Sequence, residues 1–430
     1  MDLVQVSLNV IYFISLYYTV FWVLTYLEEE EPVKKKKPLI DWPRVSIVIP
    51  MYNEEENIIS TIDNICDVDY PKDKLKIIVV DDGSKDKSFE NAKIAVEKNK
   101  KKYPELDIKI LHQENKGKYA AVNLGLKYVD TPFFATLDAD SYPERDSLKK
   151  LIKYFYDNYS KDLAAVTPIL KVYKPENLIQ KMQWFEYAIN HFYKSVLSIR
   201  DAIHVTPGPL ALYKTKVVKH LGGFRPGHKT EDMELGMRLQ KNHDLIKQCN
   251  DAIVYTKAPK TLRALVKQRL RWYWGTVKNV IDYSDMLFNK EYHDFGLFQL
   301  IMIPLSGVLA VALVFLMGFS MRDKIKMQYL SLKAYDFNIF EIIKDSFAHL
   351  NTKFWFLNLD LTSIAMMSVF LLIMVFLIYK GVKLFNRRFS LEKSYFIPLV
   401  IYILTYFYFL AFVWLIVFKD LIFKKEIKWK

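Results

Sequence analysis

The sequence predicts an α/β domain, a mostly parallel sheet with helices on both faces, joined to an α-helical transmembrane region. Three observations carry this reading. β-branched runs alternate with amphipathic stretches at short spacing between Val45 and Thr256, as in chains that wind strand, helix, strand. Acidic clusters follow several of those runs, where open α/β sheets place their ligands. Four uncharged apolar runs flank the region: Leu3 to Leu27, Phe295 to Met321, Leu361 to Tyr379 and Ser394 to Phe418. Each reaches the roughly 18–20 residues that span a bilayer as a helix.

The elements follow in order. Val45-Ser46-Ile47-Val48-Ile49 has a strand pattern that Pro50 is expected to end. Asn53 with Glu56 three residues later predicts an N-cap and capping box, opening a helix from Glu54 to about Cys66. Leu75 to Val80 is a second strand ending in Asp81-Asp82-Gly83-Ser84, and a helix to about Lys101 follows it. Ile108 to Leu111 is a third strand, and Gly117 to Val129 a helix. Phe133-Phe134-Ala135-Thr136-Leu137 then runs apolar into Asp138-Ala139-Asp140. Beyond it come a strand at Leu163–Thr167, a long amphipathic helix at Pro175–Ile199, a helix opening near Thr230, and a last strand at Ile246–Thr256. Pro259 to Tyr283 is basic, aromatic and helical in pattern.

Composition narrows the classes. The chain has 430 residues, a formal net charge of +13 and 51% hydrophobic residues. Only Cys66 and Cys249 are present, so neither a disulfide framework nor a cysteine metal site is expected. The basic excess sits beside the apolar runs, at Lys34–Lys37 and at Lys380, Lys383, Arg387, Arg388 and Lys393. Such placement reports membrane topology and anionic lipid, not nucleic acid. The first apolar run is too long for a signal peptide and lacks a basic start or small-residue cleavage site, so it reads as a retained anchor. The positive-inside rule then puts the region from Lys34 to about Ile281 in the cytoplasm, Arg322–Asp360 outside and Lys380–Lys393 inside. The Lys-rich tail from Lys419 to Lys430 conflicts with four spans, unless it is an exception or a re-entrant piece near Phe340–Phe356 changes the count.

Two aspartates two apart on an extended segment point to the same side. Asp138 and Asp140 thus read as a clamp for a hard divalent cation and a diphosphate, or as a solvated acidic turn. Glu231 and Asp232 fall in the first turn of a helix, where acids also serve the helix dipole. Gln268-Arg269-Leu270-Arg271-Trp272 offers arginine for bidentate diphosphate binding and an indole for a sugar face. An ordinary membrane-interface helix has the same composition.

Taken in order, Asp81-Asp82-Gly83-Ser84, Asp138-Ala139-Asp140, Thr230-Glu231-Asp232 and Gln268-Arg269-Leu270-Arg271-Trp272 resemble the motif series of inverting GT-A glycosyltransferases of family 2. The resemblance covers about residues 44–280 with the flanking spans. Its nearest pattern is that of the membrane-embedded polysaccharide synthases of cellulose, hyaluronan, chitin and poly-N-acetylglucosamine. It implies a membrane helix at 1–30, a basic linker at 31–43 and a cytoplasmic GT-A domain at 44–258. Interfacial helices bearing a QxxRW-type motif would follow at 259–290, then spans at 295–321, 361–379 and 394–418. It also implies that Pro50, Tyr52 and Glu54 line the nucleoside pocket, and that Asp81 and Asp82 hold the base and ribose edge. Lys118 approaches the diphosphate. Asp138 contacts the nucleotide and shares a Mg²⁺ or Mn²⁺ with Asp140. Asp232 is the general base. Gln268 and Arg271 bind the diphosphate, while Glu231, Trp272 and Gly208 meet the acceptor. Pro207 stands where the family usually has a small residue before that glycine.

The implied reaction is in-line displacement from a UDP-sugar, with UDP-GlcNAc favoured over UDP-Glc and UDP-GlcA. The acceptor is a growing polysaccharide that is exported, or, as the alternative, a membrane lipid that takes single sugars. A non-enzymatic receptor on a decayed transferase fold is the reading from a different class. No nucleic-acid partner is expected.

Overall fold

The computed structural model describes residues 3–28, 41–158, 160–338, 340–341, 344, 361–386 and 391–423. The Lys34–Lys37 linker, Arg387 and Arg388, most of Phe340–Phe356 and the tail beyond Phe423 lie outside them.

Among the described residues, eight strands form one sheet in the order β3-β2-β1-β4-β7-β6-β8-β5. They are β1 (Val45–Met51), β2 (Leu75–Asp81), β3 (Asp107–His112), β4 (Phe133–Thr136), β5 (Ser141–Pro143), β6 (Leu163–Val172), β7 (Leu212–Lys214) and β8 (Leu245–Thr256). The half containing β3, β2, β1 and β4 is parallel throughout. β7 then inserts antiparallel between β4 and β6, β8 runs parallel to β6, and β5 closes the edge antiparallel to β8. The sheet is therefore mixed, and the two strands that mix it most, β5 and β7, are three residues each. Runs so short carry almost no periodicity, which is why the sequence pattern passed over them.

Helices cover both faces, and strand alternation decides which residue meets which. Val45, Ile47 and Ile49 of β1 pack with α2 (Ile58–Cys66), α3 (Ser88–Lys102) and α5 (Ser147–Asp157). Val48 points the other way, into a core shared with α4 (Lys118–Lys127), α6 (Leu178–Ile199), α7 (Thr215–His220) and α8 (Glu231–Lys241).

Two local expectations are corrected. Pro50 does not end β1; the strand continues to Met51. At Pro50 only β2 is still paired, because the β4 register stops at Val48 opposite Thr136. The missing N–H therefore costs no ladder bond. Nor does Asn53 cap α2, which begins four residues later than expected, at Ile58. Asn53 adopts a left-handed φ of 55°. It ties the β1 loop to the β2 loop instead, accepting from Lys85 N at 2.9 Å and donating its N–H to Ser84 Oγ at 3.0 Å.

α1 (Leu3–Glu28), α9 (Leu262–Asp282), α10 (Leu300–Ala334), α11 (Leu361–Asn386) and α12 (Phe396–Ile422) are the other α-helices among the described residues. Among the described residues, three segments are long and apolar enough to cross a membrane: Val6–Leu27, Phe295–Phe319 and Lys393–Ile422. The run at Leu361–Tyr379 lies within α11. α10 does not stop at Met321 but continues to Ala334. α6 is the joint between the two regions: it packs on β6 and β8 on one side and on α1, α11 and α12 on the other.

Candidate active site

The strand ends deliver the acidic residues to one edge of the sheet. β1 and β2 are buried along their whole length, so the carboxylates that follow them emerge from a rigid base. Asp81 is fully buried; it pairs with His112 Nδ1 at 2.7 Å and accepts from Ser84 N at 3.3 Å. Asp82 accepts from Gln113 Nε2 at 2.6 Å, Lys116 N at 3.0 Å and Gly117 N at 2.8 Å. Its carboxylate thus fixes the turn before α4, where Gly117 takes a φ of 94° that a side chain would resist. The consequence of that turn is the placement of Lys118 as the first residue of α4.

Lys118 joins three motifs. Its Nζ lies 2.7 Å from Asp138 Oδ1 and 3.2 Å from Glu231 Oε1. Burial works against its charge, but Asp138, Glu231 and Asp232 together hold its pKa above the usual lysine range. Gly208 closes over this pair. Its carbonyl accepts from Thr136 Oγ1 at 2.9 Å. A Cβ there would stand 2.7 Å from Lys118 Nζ and 2.9 Å from Asp138 Cγ. The glycine expected beside the acceptor therefore lies against the Asp138–Lys118 pair.

Asp140 lies beside that pair. Its pKa is raised to about 6, first by burial and then by the negative charges of Asp138 and Glu54, with the Ser141 hydroxyl partly offsetting them. Glu54 is raised for the same leading reason, burial, and by Asp138 among its neighbours, while the Asn57 hydrogen bond lowers it. Glu54 thus faces the aspartate pair. Pro50 is buried within β1, and Tyr52 is 40% exposed beyond it.

Asp232 sits in the first turn of α8. Burial and the adjacent Glu231 raise its pKa to about 6, against the pull of Lys118. Its Oδ1 accepts from Met233 N at 2.9 Å, and its carbonyl accepts from Thr206 Oγ1 at 2.9 Å. Thr230 does not cap α8 with its side chain; the hydroxyl donates to Gly227 O at 2.7 Å. Asn279 of α9 then donates to Thr230 Oγ1 at 2.9 Å and to Gly227 O at 3.1 Å. The basic helix α9 therefore anchors the turn that carries the candidate base.

In the Gln268–Trp272 motif, the buried cation is Arg269. It forms a two-pronged ion pair with Glu186 of α6, through Nε at 3.0 Å and through Nη2. Its Nη1 donates to Gln268 Oε1, and its guanidinium lies 4.2 Å from the Trp272 ring centre. Arg271 is exposed. Tyr187, next to Glu186, feels both Arg269 and Asp140; burial pushes its phenol up to about 12, with Arg269 opposing.

The structure thus gathers Glu54, Lys118, Asp138, Asp140, Gly208, Glu231 and Asp232. It ties Asp81 and Asp82 to loop partners, and it holds Gln268 and Trp272 around Arg269. Sequence reading gave no role to Glu186, Tyr187 or His112. Glu186 had one visible signal, a lone acid on the otherwise apolar and aromatic run Trp184–Tyr187.

The Glycosyl transferase family 2 profile matches residues 46–222. The poly-beta-1,6-N-acetyl-D-glucosamine synthase of Staphylococcus aureus strain COL is 28% identical over 309 residues, covering 71% of this chain and 72% of the relative. The synthase of the same name from Staphylococcus epidermidis is 27% identical over 284 residues, covering 62% of this chain and 66% of the relative. A solved mannosyltransferase from Pyrobaculum calidifontis, in complex with GDP-Man and Mn²⁺, shares the fold. Its TM-score is 0.57 at 20% identity, covering 90% of this chain and 99% of that one. The chain is a glycosyltransferase of GT-A fold, and its residues 46–222 are a glycosyl transferase family 2 domain.

Proposed function

We propose that the protein extends a polysaccharide from a nucleotide-sugar donor, UDP-GlcNAc in the first place, by inverting transfer at the membrane surface. One observation carries this reading: Lys118 joins Asp138 of the donor-side motif to Glu231, whose neighbour is Asp232. Donor and base are then within one cleft. The acceptor hydroxyl attacks the anomeric carbon, the bond to the diphosphate breaks, and the hydroxyl proton passes to Asp232. Lys118 offsets charge on the departing diphosphate. Trp272, fixed by Arg269 stacked on its ring, supplies a flat face for the acceptor sugar.

Asp140 and Asp138 suit Mg²⁺ or Mn²⁺. Among the described residues no three His, Cys, Asp or Glu side chains are arranged to hold an ion by themselves. Such ions need only one or two carboxylates when substrate phosphates complete the shell. The crowding of Asp140 by Asp138 and Glu54 is the environment that a cation relieves. When bound, the metal would neutralise charge on the leaving diphosphate.

The relatives' names favour poly-N-acetylglucosamine as the product. In this reading the catalytic domain is cytoplasmic and the helices carry the chain outward. A second reading, transfer of single sugars to a membrane lipid, draws support from an apolar recess of about 190 Å³ between α1, α6 and α11, lined by Tyr18, Trp22, Phe192, Tyr193 and Leu377. Purified protein is incubated with a panel of radiolabelled nucleotide sugars, and products are digested with linkage-specific glycosidases. Polymer from UDP-GlcNAc supports the first reading. Single-sugar products that extract into organic solvent support the second.

A further inference from the structure

Two buried threonines stand behind the catalytic residues and have no role in the reaction described above. They hold the segment Thr206-Pro207-Gly208-Pro209-Leu210, which leads into β7. Thr206 is fully buried and fixes the upstream end on α8. Its N–H at 3.3 Å and its hydroxyl at 2.9 Å both donate to the carbonyl of Asp232. The backbone just before it packs directly on the same helix. A Cβ at Gly236 of α8 would press on His204 O and meet His204 C at 2.7 Å and Val205 N at 3.1 Å. Thr136, buried at the end of β4, fixes the downstream end. Its hydroxyl donates to Gly208 O at 2.9 Å, its carbonyl accepts from Leu210 N at 2.7 Å, and its N–H donates to Ala211 O at 3.3 Å. Asp138 follows two residues later.

Between these two pins the strap is stiff. Pro207 and Pro209 each fix a backbone angle and carry no N–H. Leu210, fully buried, is held at a left-handed φ of 57°, which a bulky residue adopts only where its surroundings force it. Gly208 lies midway, with its missing side chain leaving room for Asp138 Oδ1. The other link between the two motifs runs through Lys118. That link has a flexible stem, and its charge is also drawn to the departing diphosphate.

We propose that Thr206–Leu210 is a rigid spacer and that Thr206 and Thr136 are positioning residues: together they set the separation of the donor-side carboxylate Asp138 from the base Asp232. The acceptor hydroxyl is thereby held in line with the bond to the diphosphate. The inference rests on Asp232 being the base. Sugar transfer tolerates little play in that separation, since a misplacement of about 1 Å costs about a hundredfold in rate. Neither threonine touches a reacting group. Thr206 acts through the Asp232 carbonyl, and Thr136 through the Gly208 carbonyl.

The test uses full-length, detergent-purified protein with UDP-GlcNAc and Mn²⁺, as wild type, Thr206→Val, Thr136→Val, the double valine variant, Thr206→Ser, Thr136→Ser and Asp232→Asn. Valine keeps the shape of threonine and removes only the hydroxyl. The Asp232 carbonyl keeps the Thr206 N–H, and Thr136 keeps both backbone bonds, so each end loosens without coming free. Nucleoside diphosphate release at saturating donor is divided by the number of donor-binding sites counted by calorimetry. This rate per site should fall about tenfold in each valine variant, with the donor Kd within about twofold of wild type. The double variant should lose about tenfold and not about a hundredfold, because freeing either end frees the same strap. Serine restores the hydroxyl and should return the rate to the wild-type value. A wild-type rate per site in either valine variant overturns the proposal, even if fewer sites or a lower melting temperature reveal a structural role. A serine variant as slow as its valine counterpart overturns it too, as does a double variant in which the two losses simply multiply. If Thr206→Val does not fold, as read by thermal melting, Thr206→Ala takes its place. Asp232→Asn reports separately on the underlying reading: if it transfers sugar at the wild-type rate, Asp232 is not the base, and that failure is distinct from wild-type rates in the valine variants.

Discussion

Replacing Gly208 by alanine separates chemistry from folding. Its φ lies outside the left-handed region, so alanine is conformationally tolerated. The perturbation is steric and local. The added methyl would press closest on Asp138 Oδ1, and would stand 2.7 Å from Lys118 Nζ and 2.9 Å from Asp138 Cγ, where ordinary contact begins near 3.4 Å. Lys118 has a flexible stem and can retreat; Asp138 follows a buried four-residue strand, so its backbone stays and only its carboxylate turns aside. The pair must open by roughly 1 Å, the scale of misplacement that costs about a hundredfold in rate. We expect kcat/KM for sugar transfer to fall about a hundredfold. The melting temperature in detergent should hardly change, since the methyl displaces side-chain tips and not core. The assay is nucleoside diphosphate release at varied donor concentration, beside a thermal melt. Wild-type kcat/KM in Gly208→Ala would refute the placement of Gly208 against the donor-side pair. A melting temperature that collapsed with the rate would show that the glycine serves the fold.

Three further outcomes follow from the same geometry. Glu186→Ala strands the fully buried Arg269 and should destabilise the protein by about 3–5 kcal/mol in thermal or chemical melts, whereas Glu186→Leu with Arg269→Met should recover most of that loss without restoring transfer. Asp82→Ala frees the turn ahead of Lys118 and should raise the donor KM about tenfold with a smaller change in kcat, by initial rates. Asp232 has a folded-state pKa raised from 3.8 to about 6, so the unfolded chain loses this proton first and stability falls as pH rises from about 4 to 6. Asp232→Asn should remove that fall and leave the variant more stable than wild type at pH 8, by up to about 3 kcal/mol in denaturant titrations.

The parallel half of the domain was legible because β1, β2 and β3 are six or seven residues long and carry apolar, partly β-branched runs, while the shorter β4 continues its apolar run straight into Asp138. β5 and β7 were not, at three residues each; tertiary pairing, not propensity, makes them strands. The acids at the strand ends were legible because residue order and fold rules place them at one edge. What they do for one another was not: that Asp82 fixes a turn while Asp138 meets Lys118 depends on side-chain direction. The arginine motif shows the limit most clearly. Two arginines two apart look equivalent in sequence. Only the packing of α9 on α12 and the presence of Glu186 on α6 bury Arg269 and leave Arg271 exposed.

The most direct test of the central claim is donor binding measured apart from transfer, by calorimetry with UDP-GlcNAc and Mn²⁺ on wild type, Asp140→Asn and Asp232→Asn. The account predicts that Asp232→Asn binds donor like wild type yet transfers no sugar, while Asp140→Asn loses the Mn²⁺-dependent part of donor binding. Equal loss of donor binding in both variants, or normal transfer by Asp232→Asn, would contradict it.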